Sequence, residues 1–214
     1  RSRGLGDVYK RQAHLVAEGR GTDVFSPSTV ANVYFIIDSL EYMHTSLKDI
    51  SLVSQLRDQQ LFAALNSPNE ALGVSAQVDA TLMKKNLVAS VNLLIDTIVP
   101  SKLGIQTGVL DAASLELRSS LRSDMDEYYS FVGEIENAHL STDMGLIRPT
   151  NIYMNAHSSK DSLGAGVKSG DLVLDFSSRN GLKDFLSRIE KLSKEIQTFT
   201  ADTTGTVSYT HLRA

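Results

Sequence analysis

Apolar side chains recur at steps of three or four through residues 27–66, and no other feature restricts the fold of this chain as much. Val30, Val33, Ile37, Leu40, Leu47, Ile50, Val53, Leu56 and Leu61 carry the repeat, the spacing that lines one face of a helix. At ~1.5 Å per residue a helix of that span is ~60 Å long, more than a compact domain needs. The stretch therefore predicts an elongated bundle, in which 27–66 is one long helix or two helices meeting at His44, Thr45 and Ser46. Ser26 offers an N-cap, and Pro27 fits a first helical turn, where a missing N–H is no loss.

The same spacing continues beyond Asn66. Ser67-Pro68-Asn69-Glu70 reads as a capping box, opening a second helix marked by Val74, Val78, Leu82, Leu87, Val91, Leu94, Ile95 and Ile98 until Pro100 stops it. Leu110, Ala113, Leu117, Leu121, Met125, Tyr128, Val132 and Ile135 predict a third, ending near residues 139–141. Pro149 opens a shorter fourth reaching about Leu163, and 180–199 form a last one with Leu182, Phe185, Leu186, Ile189, Leu192, Ile196 and Phe199 on its buried side. Residues 172–176 read equally as a short strand or an extended loop. With no two-residue alternation read in the long segments, the expected fold is all-α: an elongated antiparallel bundle of about four to five helices with a short irregular segment near 164–179.

Both ends look foreign to that pattern. RSRGLGDVYKRQ (1–12) and VSYTHLRA (207–214) resemble translated library adaptor, a kind of tail that is set aside before fold reasoning. One domain over 13–206 is expected between them. The tails hold 5 of the 21 basic residues and 1 of the 25 acidic ones, so the body has 16 and 24, a net charge of about −8. An acidic body without a basic, aromatic-interleaved stripe disfavours nucleic acid, and none is expected as a partner. The absence of cysteine excludes disulfides and thiol chemistry. The most apolar run, 87–99, contains Asn92 and Asp96 and falls short of the ~18 residues of a membrane helix.

Ser26-Pro27 leading into NVYFIIDSL (32–40), followed by SLVSQLRDQQ (51–60), resembles the helical-bundle extracytoplasmic sensor domains of bacterial transmembrane receptors: chemoreceptors, sensor histidine kinases and diguanylate cyclases. Tyr34, Asp38, Leu56 and Arg57 fall where such sensors carry a Tyr-rich turn ending in Asp and, later, a Leu-Arg pair; Pro149 to Tyr153 resembles their second Pro-opened segment. The resemblance spans about residues 22–163. It implies a periplasmic part of an inner-membrane protein, a homodimer, membrane contact only through flanking helices outside this fragment, and a small anionic ligand or periplasmic protein as partner.

Arg57 is then the candidate for a ligand carboxylate or phosphate through paired hydrogen bonds, against the plainer reading of a surface arginine. Tyr34, Tyr128 and Tyr153 are the candidates to line the same pocket, against simple packing. Asp38 could meet Arg57 only if the chain folds back near His44. The five histidines lie apart and no HExxH occurs, so no metal is expected. Asp124, Asp126 and Glu127 read as a solvated face, and GAGVKSG (164–170) lacks the spacing of a phosphate loop. With no matched acid, base or nucleophile, neither a catalytic residue nor a cofactor is expected. The function expected is a non-enzymatic sensing module transmitting a helix shift; the alternative is a soluble helical scaffold or phage-type structural protein.

Overall fold

Leu72, Val74, Ala76, Val78, Ala80 and Leu82 alternate with Gly73, Ser75, Gln77, Asp79 and Thr81. A period of two places the first set on one face of a strand and the second on the other, and Leu72–Met83 is a strand. The structure, a computed structural model, describes residues 8–42, 45–182, 184 and 186–191. They form a twelve-stranded antiparallel sheet: β1 (Val8–Arg20), β2 (Val30–Tyr42), β3 (Thr45–Arg57), β4 (Gln60–Asn69), β5 (Leu72–Met83), β6 (Asn86–Ile98), β7 (Leu110–Ser123), β8 (Tyr129–Thr142), β9 (Gly145–Ile147), β10 (Ile152–Ser158), β11 (Leu163–Ser169) and β12 (Leu172–Ser178). Each strand pairs with its neighbours in sequence order, except that β8 pairs with both β9 and β10. A 3-10 helix, Pro100–Leu103, interrupts the β6–β7 connection. A helix begins at Leu182 and is described as far as Lys191.

The all-α bundle is therefore corrected to a β-meander. The stretch expected to be one or two long helices is β2, β3 and β4, the second helix is β5 and β6, and the third is β7 and β8. The short fourth helix is β10, and the irregular segment is the β11–β12 hairpin. The resemblance to helical sensor domains falls with the helices. So do both functions built on them, the helix-shift sensor and the helical scaffold. The last predicted helix is present over its first half, while 192–199, the adaptor-like tail 207–214 and His44 lie outside the described residues. The other adaptor-like stretch is described from Val8, and Arg11 and Gln12 pair with Leu40 and Ser39 in the sheet.

The misreading has a physical cause. A step of four residues advances a helix by slightly more than one turn and a strand by two full periods, so Val74, Val78 and Leu82 share a face in either structure. Three-residue steps would separate the two, but alanine and serine on the shared face, such as Ala76, Ala80, Ser119 and Ser123, thin out the apolar signal between the large residues.

Pro68 sits at the end of a ladder instead of a helix. The β3–β4 pairing stops at Ser51 opposite Asn66, so the missing N–H of Pro68 breaks nothing. Asn69 extends the ladder with its side chain: Lys48 N–H donates to Asn69 Oδ1 (2.7 Å) and Asn69 Nδ2 donates to the Lys48 carbonyl (2.9 Å). Ser67, expected to cap a helix, donates from Oγ to the Leu72 carbonyl at 2.6 Å.

Irregularities line up toward one end of the sheet. β1 and β2 shift register near Ala13, opposite Asp38. Asp49 has φ 53° and Asn137 φ 51°; the β5–β6 register shifts at Gly73/Val74, and β7–β8 shifts between Ser114 and Glu116. Each such bulge bends its strand and increases the local twist. Repeated across neighbouring strands at one level, they bend the sheet as a whole.

Candidate functional site

Cross-strand pairing carries the alternation of each strand across the whole sheet. One row runs Gly19, Ala31, Leu56, Leu61, Ala80, Ala89, Leu121, Phe131, Ala156, Ala165, Phe176; each residue is the register partner of the next. The next row on that face runs Ala17, Val33, Ser54, Ala63, Val78, Val91, Ser119, Gly133, Met154, Val167, Leu174. The third runs Leu15, Phe35, Leu52, Leu65, Ala76, Leu93, Leu117, Ile135, Ile152, Ser169, Leu172. No charged residue occurs in the three rows, and their polar members are Ser54, Ser119 and Ser169.

The rows differ in bulk. From β1 to β8 the middle row holds only alanine, valine, serine and glycine, while its flanking rows carry Leu56, Leu61, Leu121 and Phe131 on one side and Phe35, Leu52, Leu65, Leu93, Leu117 and Ile135 on the other. At β3, β4, β7 and β8 small residues lie between large ones and form a furrow; it is interrupted at β5, where Val78 stands between Ala76 and Ala80. At Gly133 the furrow is narrowed by a neighbour: a Cβ there would lie 2.9 Å from Phe131 Cζ and 3.2 Å from Met154 Cε, so the phenylalanine ring occupies the space the glycine leaves.

The opposite face is polar. One of its rows runs Glu18, Asn32, Gln55, Phe62, Asp79, Ser90, Ser120, Val132, Asn155, Gly166, Asp175, with charged and polar side chains in the majority. Arg118 ties β7 to β8 there, 3.1 Å from Glu136 and 3.5 Å from Glu116; Asn137 Nδ2 donates to Glu116 Oε1 at 3.0 Å. These are exposed pairs in a high-dielectric setting, worth little individually. A shallow hollow of about 310 Å³ beside them, lined by Gln77, Asn92, Glu116 and Arg118 among others, is open to solvent.

From β2 to β10 the two faces are unequally shielded, and residues of one type show it best; on β1 and β12 the apolar face is exposed too, Leu15 by 65% and Leu174 by 58%. Leu93 on the apolar face is half-buried while its neighbour Leu94 on the polar face is 43% exposed; Val91 and Val88 differ in the same sense. A flat single sheet would expose both alike.

The residues expected to form a ligand pocket are not brought together. Arg57 is exposed at the end of β3, beside Asp58 and Gln59, whose φ angles of 49° and 62° make the tight β3–β4 turn. Tyr34 on β2 and Tyr153 on β10 share a row of the polar face, yet seven strand spacings separate them, ~34 Å along the sheet. Tyr128 lies in the β7–β8 turn, and all three tyrosines are about half exposed (46–48%). The chain does fold back between Tyr42 and Thr45, as a strand hairpin; Asp38 meets His14 at 3.1 Å rather than Arg57.

The acidic cluster builds a turn. Asp124 Oδ1 accepts N–H bonds from Asp126, Glu127 and Tyr128 at 2.9, 3.0 and 2.8 Å. The Asp126 N–H, then that of Tyr128, holds this carboxyl below the usual aspartate range. Stabilisation from a depressed pKa is present above the unfolded-state value and is lost as pH falls through the folded one. Protection of the 126–128 amides, taken against the intrinsic exchange rate at each pH, is accordingly expected to fall on acidification through that range, and Asp124→Ala to remove this fall; a protection profile unchanged by the substitution would contradict this.

GAGVKSG forms most of β11 and its turn, not a phosphate loop. Among the described residues no group of three or more His, Cys, Asp or Glu is placed to hold a metal ion, and no helix is long and apolar enough to cross a membrane. Sequence reasoning missed the uncharged rows altogether, although the signal was present as strict alternation in 72–82 and as leucines at 115, 117 and 121 in a polar stretch. No family model, curated protein or solved structure matches the chain.

Proposed function

We propose that the chain is a non-enzymatic lipid-binding sheet that holds hydrocarbon chains against its apolar face. One observation carries the reading: three adjacent rows cross eleven strands without a charged side chain. With strands ~4.8 Å apart and same-face residues ~6.7 Å apart, the uncharged area is roughly 50 by 20 Å, well beyond the few hundred Å² that a soluble surface normally leaves apolar. Hydrocarbon suits it because the three rows ask for no hydrogen bond, and at β3–β4 and β7–β8 small residues between bulky ones leave room for a chain. The stronger shielding of this face is what a sheet curled over its apolar side gives, and the aligned bulges supply the bend.

A wall of a transmembrane barrel would show the same alternation. In a barrel, however, the polar side faces inward and is the more shielded, whereas from β2 to β10 here the polar side is the more exposed.

Titration with a fluorescent long-chain fatty acid tests the proposal. Saturable binding is expected, and Ala63→Phe, which fills the furrow without adding charge, is expected to weaken it by roughly tenfold while leaving the far-UV spectrum unchanged. Absence of saturable binding, or equal binding by the filled variant, would overturn it.

A further inference from the structure

Among the described residues, β1, β9 and β12 each have a strand on one side only. A strand edge offers a ladder of backbone donors and acceptors to any other strand, and proteins ordinarily blunt it with bulges, charge or brevity. β9 is only three residues long. β1 shifts register against β2 twice and carries Glu18, Arg20 and the His14–Asp38 pair at 3.1 Å. β12 has none of these protections. Its seven residues pair with β11 without a register shift, and Asp175 is their single charge. Leu172, Val173 and Leu174 are 54%, 55% and 58% exposed, so both faces of the strand are open to water at its middle.

Only another strand supplies backbone donors and acceptors at the spacing of this edge. Within an assembly of identical chains, the strand is β1 or β12 of a second copy. Successive strands along the main path are antiparallel, and the path has eleven, so β1 and β12 run in the same direction. A β12–β1 contact that keeps the apolar faces on one side is therefore parallel, the less stable pairing per residue. It also meets the blunted edge and adds copies head to tail without closing. A two-fold axis normal to the sheet instead sets β12 antiparallel to its own copy. The apolar faces stay on one side, the two β1 edges lie outermost, and the assembly closes at two.

Charge selects the register. Pairing centred on Leu174 puts Leu172 opposite Phe176 and Asp175 opposite Val173, whereas pairing centred on Asp175 sets that carboxylate against its own copy. We propose that the chain forms a two-fold dimer in which β12 pairs with β12 of a second copy, centred on Leu174, to give one continuous sheet. The proposal needs only the edge and does not depend on the lipid-binding reading. Seven residues a side fall short of the roughly 20–30 of a standard interface, so the dimer is weak, with Kd on the order of 10–100 μM.

Sedimentation velocity of the full chain from about 1 to 300 μM spans that range and is the test. A reversible monomer–dimer equilibrium is expected, with amide exchange at residues 172–176 slowing as the concentration rises. Leu174→Lys brings two ammonium groups together at the axis and is expected to weaken association by roughly tenfold or more, as is Leu174→Glu. Mixing the two variants restores the dimer, because opposite charges then meet. Leu15→Lys, at a comparably exposed position of the apolar face on β1 (65%), leaves association unchanged. These positions face water, so each variant keeps its strand content by circular dichroism. A chain that stays monomeric throughout, mass that grows beyond the dimer, a dimer whose 172–176 amides gain no protection, equal weakening by Leu15→Lys, or a mixture that remains monomeric would each overturn the proposal. None of these measurements involves fatty acid, so the lipid-binding reading stands or falls separately.

Discussion

Val91→Glu abolishes hydrocarbon binding and costs the sheet about 3 kcal/mol, an expectation that follows from where the residue sits. Val91 lies in the middle of the three uncharged rows, between Val78 and Ser119 across the strands, and is half-buried. A carboxylate there loses part of its hydration and gains no partner, a penalty of several kcal/mol when burial is complete and less at half burial. Against a total stability of 5–15 kcal/mol for an ordinary domain, ~3 kcal/mol shows plainly in urea melts. Burial disfavours the charged form, so the introduced carboxyl has a raised pKa. The destabilisation is therefore full above that pKa and shrinks as pH falls below it. Asn92→Glu is the control one residue away, on the polar face between Gln77 and Arg118; it is expected to stay within ~0.5 kcal/mol of the parent. Equal losses from the two substitutions would mean that the faces do not differ as described.

How much of this was readable in advance varies along the chain. β5 could have been read, because 72–82 alternates without a break and Lys84-Lys85 follows as a charged turn. The hairpin turns were harder. Asp58-Gln59 and Lys85 adopt positive φ without glycine or asparagine, so the residues that usually announce a two-residue hairpin are missing. Pro68 carried a helix-start meaning in the sequence and Pro100 a helix-stop one; Pro68 instead sits past the last β3–β4 pair, still opposite Gly73 in β4–β5, and Pro100 follows the end of β6. The fold-back near His44 was legible as a break in pattern, although whether helices or strands were folding back was not. The candidate site suffered most. Arg57 and the tyrosines attract attention in a sequence because they carry chemistry, yet this surface is defined by rows whose members come one from each strand. Such a row has no footprint in the linear chain until the register is known. Conversely, once the register is given, the absence of charge from three rows is immediate and needs no functional residue to point to.

Gly133 offers the second large effect, because two opposed terms can be weighed there. Glycine inside a strand costs ~0.5–1 kcal/mol relative to a residue with a side chain, so a substitution should begin with a gain. The space, however, belongs to Phe131: a new Cβ would stand 2.9 Å from its Cζ and 3.2 Å from Met154 Cε. Val at this position must push the ring off its rotamer, and overpacking of that kind costs ~1–3 kcal/mol. The second term wins, and Gly133→Val is expected to lose about 2 kcal/mol. Because Gly133 belongs to the middle row, the displaced ring and the added methyls also block the furrow, and fatty-acid affinity falls with stability. Phe131→Leu in the same chain removes the ring, so the double variant should regain most of the lost stability while affinity stays low, the valine methyls still filling the furrow. Recovery of both properties together would place hydrocarbon elsewhere than over Gly133, and recovery of neither would mean that the Phe131 ring is not what the valine displaces.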